Sequence, residues 1–258
     1  MTEENMAEEK QMPLTEHLEE LRSRLIVCVV TVLVGFFVSY GFKEQLFALV
    51  ARPLNIAMGE GGKLIFTSLT EPFIAYLKIS FFGGIIIALP VILYEIWAFV
   101  APGLYSKEKK VIFPLVFLGC LFFAGGASFG YFIVFPMGFK VLLAFGGDVA
   151  DALPSMKEYL GLATKLLIAF GVVFELPLFI VTFSRMGMVT PQMLRKGRKY
   201  ALVIFVICGA ILTPPDPFSQ LMMAAPLVIL YEISIIGAVI FGKKPEPETD
   251  VDDIDDID

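Results

Sequence analysis

The stretch FIAYLKISFFGGIIIALPVILYEIWAFV, residues 73–100, runs for 28 residues with Lys78 and Glu95 as its only charged side chains. A helix rising 1.5 Å per residue crosses the ~30 Å hydrocarbon core of a bilayer with about 20 apolar residues, so this stretch alone reads as a membrane span. The whole chain agrees. Of 258 residues 57% are hydrophobic and 18% charged, with a mean hydropathy of +0.79, too apolar for a soluble domain of this length. Outward from 73–100, the segments 25–42, 111–135, 159–184, 200–212 and 218–241 qualify as spans or nearly so. The expected fold is all-α: a polytopic membrane protein with six transmembrane helices, the last two spans short. An acidic rather than basic lead and the lack of a small-x-small cleavage site make the first segment an uncleaved span.

The net charge of −6 hides a division into three blocks. Residues 1–20 hold seven carboxylates against Lys10, and residues 243–258 hold eight against Lys243 and Lys244, so each end carries −6 and the body +6. Residues 1–12 and 243–258 therefore read as acidic disordered tails flanking a membrane domain at 13–242. Thirteen Lys/Arg, among them Arg22, Arg24, Lys107, Lys109, Lys110, Arg195 and Lys196, fall in one set of flanks and loops, against five in the other. Basic residues are enriched on the cytoplasmic side, which predicts both termini inside. Lys78 and Lys165 lie about two turns within their spans, where long side chains snorkel to the interface.

Several features are irregular. Segment 200–212 gives 13 apolar residues before Thr213-Pro214-Pro215-Asp216-Pro217, a reach of about 20 Å. The hairpin it forms with the last span, which Pro226 interrupts, is expected to thin the membrane or lean on its neighbours. Pro90, Pro114 and Pro177 are expected to kink their spans. In the connection 43–72, Glu44–Val50 reads as a short amphipathic element at the surface. Tyr94, Trp97 and Phe99 read as aromatics at the inner interface.

The chemistry available is narrow. Cys28, Cys120 and Cys208 lie scattered in apolar runs, without a disulfide framework or C-x-x-C spacing. His17 is the one histidine, too few for H-E-x-x-H zinc chemistry, and no Walker A sequence is present. No catalytic residue, metal ligand or cofactor is expected. Leu14, Leu18, Leu21 and Leu25 form one helical stripe in an amphipathic lead-in, on which Glu20 precedes Arg24 by four and Glu19 precedes Arg22 by three; such pairs also occur on any solvated helix face. Glu108 is a lone carboxylate among Lys107, Lys109 and Lys110. Glu175 lies ten residues before Arg185, about 15 Å inside the span and near the midplane. A charge there costs about 2.5–3.5 kcal/mol, so Glu175 has to face a polar cavity, be protonated, meet a partner's polar group or be satisfied internally. Glu232 lies at a similar depth. Asp216 before Pro217 reads as a helix N-cap with proline at the first helical position. His17 reads as a polar surface residue, and Glu95 as facing water.

The segments HLEELRSRL (17–25), ILYEIWAFVAPGLYSKEKK (92–110), FGVVFELPL (170–178) and LTPPDPFSQ (212–220), in this order, resemble the TatC family, core subunits of the twin-arginine protein translocase. The resemblance covers about residues 13–242. It implies a receptor and scaffold in the cytoplasmic (inner) membrane, not an enzyme, that binds twin-arginine signal peptides of folded cargo and recruits TatB-like and TatA-like single-span subunits into a multi-copy complex driven by the proton-motive force. It points to Glu20 and Glu108 as carboxylates for the arginine pair, with Arg22 and Phe99 lining the same pocket, and to Glu175 and the hairpin 200–241 as partner contacts. Glu95 departs from the family pattern, and its acid either joins the arginine site or competes within it. The competing reading is a secondary transporter or proton channel using Glu175, Lys165 and Glu232 as a relay; against it stand six spans, no repeat and no chain of ionisable groups.

Overall fold

The computed structural model describes residues 14–59, 64–100, 112–144, 153–212 and 217–242. These fold as helices: α1 (Leu14–Gly41), α2 (Lys43–Met58), α3 (Glu71–Val100), α4 (Ile112–Phe129), α5 (Phe135–Ala144), α6 (Met156–Phe174), α7 (Leu176–Arg185), α8 (Pro191–Leu212) and α9 (Pro217–Phe241). Between α4 and α5, Gly130–Val134 widens into a π-helical segment, so 112–144 is one unbroken helical rod. Among the described residues no extended strand forms, and the one β-bridge joins Ile65 to Ser155.

Among the described residues, five helical stretches are long and apolar enough to cross a membrane: His17–Gly41, Glu71–Val100, Ile112–Val141, Met156–Arg185 and Met223–Phe241. The expected span at 200–212 is the apolar part of α8, whose first turns carry Arg195, Lys196, Arg198 and Lys199. That helix is long enough but too charged to count with the other five. Glu108, Asp216 and both acidic tails lie outside the described residues.

Helix ends follow local chemistry. Thr190 accepts from the Met193 N–H through its side chain and from the Leu194 N–H through its carbonyl, and Pro191 opens α8 at the position where its missing N–H costs nothing. Gly59, at φ 75°, ends α2 in the left-handed region that suits glycine. Of the prolines expected to kink spans, Pro114 is the third residue of α4, where no helical donor is lost, so it starts the helix instead. Pro90 lies within the continuous α3 and Pro226 within the continuous α9. Pro177 does divide its span: α6 stops at Phe174, α7 starts at Leu176, and Glu175 is the joint.

The rods pack as antiparallel and parallel neighbours, α1 against α3, α3 and α4 against α6, α7 against α9, and α8 against α9. Small residues set the closest approach, as expected where lipid replaces water and no hydrophobic force drives helices together. At Gly84 of α3 a Cβ would stand 2.6 Å from the backbone nitrogen of Phe36 in α1, and at Gly35 of α1 it would stand 2.7 Å from the Gly84 carbonyl oxygen. The two backbones touch at this crossing.

The end of the bundle away from the amino terminus is closed by a cap. The element expected at Glu44–Val50 is longer, spanning all of α2, and it buries Val50, Ala51, Pro53 and Leu54 against the bundle rather than lying free on the surface. Tyr159 donates to the Val50 carbonyl at 2.6 Å, and Tyr131 to that of Leu49 at 2.7 Å. Glu71 locks the cap. Its carboxylate accepts from the Thr67 N–H (2.8 Å) and hydroxyl (3.0 Å), the Ser155 hydroxyl (2.5 Å) and the Lys157 N–H (2.7 Å). Sequence reading missed Glu71; its signal was an acid at the very start of an apolar run, where exposed helix N–H groups favour negative charge. Tyr159→Phe is expected to lower stability by about 1–3 kcal/mol, the cost of leaving a buried carbonyl without its donor. Thermal unfolding in detergent measures this, and an unchanged midpoint contradicts it.

Candidate functional site

The α1–α3 crossing fixes what meets at the amino-terminal end. Eleven residues separate Gly35 from Arg24 along α1, and eleven separate Gly84 from Glu95 along α3. In antiparallel helices both steps run the same way, about 16 Å, and eleven residues are close to three whole turns, so both side chains return to the facing surfaces. Arg24 and Glu95 accordingly meet at 2.8 Å, Nη1 to Oε2. The same guanidinium donates Nε and Nη2 to Glu20 Oε1 at 3.0 and 2.7 Å. Two carboxylates thus hold one guanidinium between two helices, with Glu95 14% exposed and Glu20 28%. Surface ion pairs of this kind add about 0–1 kcal/mol, so the arrangement matters for orientation more than for stability.

His17, one turn before Glu20, stacks on Phe99 with ring centroids 4.4 Å apart and planes 16° from parallel. Its Nδ1 lies 3.9 Å from Glu20 Oε2. Of the expected pocket residues, Glu20 and Phe99 therefore come together. Arg22 stands exposed on another face of α1, without an ion pair among the described residues. His17 is an exposed surface residue, as expected, that also stacks on the cluster's edge, whereas Glu95, expected to face water, is built into the cluster instead. The Glu20–Arg24 pair was visible as an i, i+4 spacing. Glu95 is 71 residues from its partner, and only the helix crossing relates them.

Trp97, expected at the interface, is fully buried and stacks on Phe179 at 4.8 Å. Tyr94 does remain exposed. On the lead-in stripe Leu18, Leu21 and Leu25 are exposed, so this face of α1 finds no cover among the described residues.

Glu175 is 4% exposed at the α6–α7 joint, and neither of its carboxylate oxygens has a hydrogen-bond partner among the described residues. It lies beside Gly119 of α4, where a Cβ would come within 3.3 Å of Oε2. The proline two residues on breaks the helix and the glycine opposite makes room, so the carboxylate sits in a gap rather than in an internal ion pair. Glu232 is different: it accepts from Arg198 Nη2 at 2.7 Å and so has a partner within the α8–α9 hairpin. Lys165 is exposed. The relay imagined for Glu175, Lys165 and Glu232 has no hydrogen-bonded continuity among the described residues. No group of three or more His, Cys, Asp or Glu side chains suited to a metal ion occurs among them either.

The chain is similar to known proteins in sequence and in fold. The family model described as "Sec-independent protein translocase protein (TatC)" matches residues 16–226. The Sec-independent protein translocase protein TatC of Desulforapulum autotrophicum is 56% identical over 241 residues, covering 93% of this chain and 89% of that protein. The Aquifex aeolicus protein of the same name is 43% identical over 238 residues, covering 91% and 98%. A crystal structure titled as the twin arginine translocase receptor TatC superposes with a TM-score of 0.80 at 41% identity, covering 87% of this chain and 99% of that one.

Proposed function

This chain belongs to the TatC family of Sec-independent protein translocase proteins, and from that we propose that it is the receptor and scaffold of its export system. As a TatC protein it is a membrane-embedded component of the twin-arginine translocase, a transport subunit working in a complex with other Tat subunits. The finer reading is ours. The amino-terminal end of the bundle faces the cytoplasm, α8 supplies a short sixth span, and both termini lie inside the inner membrane's cytoplasmic face. Twin-arginine signal peptides dock at Glu20 and Glu108, with Phe99 and Arg22 alongside. Glu175 and the α8–α9 hairpin receive TatB-like and TatA-like single-span subunits, and the proton-motive force drives folded cargo across.

One observation carries the reading: Glu20 already holds a guanidinium, that of Arg24, through two hydrogen bonds to one oxygen. A second guanidinium needs the planar, charged fork to be met again by carboxylate oxygen, which is what two adjacent signal arginines would bring. The basic background of the same face sharpens the choice by repelling stray cations. Photoreactive residues at positions 20, 108 and 175, in membranes with and without a signal-bearing substrate, test it. Positions 20 and 108 are expected to crosslink to the signal and 175 to a small single-span protein; substrate-independent or absent crosslinks from 20 and 108 overturn the site.

Glu175 permits a separate test, because a buried carboxylate without a hydrogen-bond partner among the described residues is no structural loss. Glu175→Leu is expected to leave the unfolding midpoint unchanged or raised, while co-purification of single-span subunits falls at least about tenfold, since each lost polar contact of about 1.4 kcal/mol is a factor of ten. A destabilised variant with normal partner recovery contradicts this assignment.

A further inference from the structure

We propose that the groove between α1, α3 and α6, in the capped half of the bundle, binds one anionic phospholipid, with Lys78 as the ligand of its phosphate. The groove has a volume of about 420 Å³ and is lined by Phe36 of α1, Leu77, Lys78, Phe81 and Phe82 of α3, and Thr164 and Ile168 of α6. Its walls are almost wholly carbon. Lys78 is exposed and makes no ion pair or hydrogen bond among the described residues.

Depth makes this lysine informative. The Glu71 carboxylate holds the Lys157 N–H, so α3 and α6 begin at the same level. Seven residues on from Glu71, Lys78 lies about 10 Å into the bundle, and Lys165, eight residues on from Lys157, about 12 Å. Lys165 directly follows Thr164 of the groove wall and is also exposed and unpaired among the described residues. Two ammonium groups at one depth, facing lipid without counter-charges, are costly unless they reach up to something anionic at the interface. Phospholipid phosphate is the anion found there.

The lining selects a lipid over a protein helix. The groove offers carbon walls and one ammonium, that of Lys78, so it suits an apolar chain that carries an anion at its interfacial end. A flexible acyl chain needs only the narrow apolar slot between Phe36, Phe81 and Ile168, while Lys78 takes the headgroup. Nothing in this assignment depends on signal-peptide recognition.

Native mass spectrometry of the purified full chain in detergent tests it, titrating palmitoyl-oleoyl phosphatidylglycerol against phosphatidylcholine with the same chains. The wild-type protein is expected to retain one phosphatidylglycerol with a preference of about fivefold, the contribution expected of one interfacial lysine. Lys78→Gln is expected to erase the preference, Lys78→Arg to keep it, and Ile168→Trp, which fills the slot, to lose both lipids. Lys43→Gln, at the capped end but stacked on Tyr40 and Tyr76, is expected to behave as wild type. An unselective wild type, a preference surviving Lys78→Gln, or full retention by Ile168→Trp overturns the proposal. So does a photocrosslink from position 81 to a protein helix that added phosphatidylglycerol does not displace.

Discussion

Glu20→Lys is expected to abolish crosslinking and binding of a twin-arginine signal peptide while the protein still inserts and folds. The substitution removes the oxygen that accepts Arg24 Nε and Nη2 and places a second cation against that guanidinium. Arg24 keeps its 2.8 Å bond to Glu95, so α1 and α3 stay in register and the damage is confined to recognition. Truncating or reversing one partner of a hydrogen-bonded charge pair in an interface costs about 2–5 kcal/mol, which corresponds to a loss of about 30-fold to several thousandfold in affinity. Glu108→Lys is expected to act in the same direction. Titration of a fluorescent signal peptide into the purified variants is the measurement, and wild-type affinity in both would remove Glu20 and Glu108 from the site. Glu95→Gln makes an informative companion, because it frees one arm of Arg24 without touching Glu20.

The second large effect is expected at Gly84. Gly84→Leu places a branched side chain where a Cβ alone would lie 2.6 Å from the Phe36 nitrogen and 2.9 Å from its Cα. Both obstacles are backbone, so no rotamer change relieves them, and α1 has to move away from α3. Overpacking that a core can absorb costs about 1–3 kcal/mol, and here the cost is expected at or above the top of that range. Separation at the crossing also propagates along both rods and pulls Arg24 from Glu95. Gly84→Leu is therefore expected to lower the unfolding midpoint and the yield from membranes together, and to weaken signal binding without touching any binding residue. Gly84→Ala tests the gradation, with a smaller loss in both. A Gly84→Leu protein of normal stability and affinity would show that the close crossing is not needed.

What could be read from the chain alone was whatever repeats locally. Residues 73–100 announce their helix by apolar length, and Glu20 and Arg24 announce their pair by spacing. Glu175 announces itself by being charged where charge is expensive, and the structure supplies the reason it persists: Pro177 breaks the helix there, and Gly119 leaves it space. Relations between distant segments were not readable. Glu95 and Glu71 find their partners 71 and between 4 and 86 residues away, distances bridged only by a particular helix crossing and a particular cap. Trp97 shows the reverse problem, since an aromatic near a span's end has the same local sequence whether it anchors at the interface or is buried against Phe179. Proline was legible only by position: Pro114 starts a helix and Pro177 breaks one, and an error of a few residues in the boundary exchanges the two outcomes.

The carboxylate of Glu71 also has a history in time. It is synthesised 84 residues before Ser155 and 86 before Lys157, an interval of several seconds at about 5–20 residues per second. Throughout that interval half of its acceptor capacity has no protein donor, and α2 lacks the Tyr159 hydroxyl that later holds Val50. The nascent chain thus carries an unfinished lid, latched only when the start of α6 arrives at the same side of the membrane. A chain whose later half is threaded the wrong way round leaves that latch open, because Ser155 and the Lys157 N–H then lie across the membrane from Glu71.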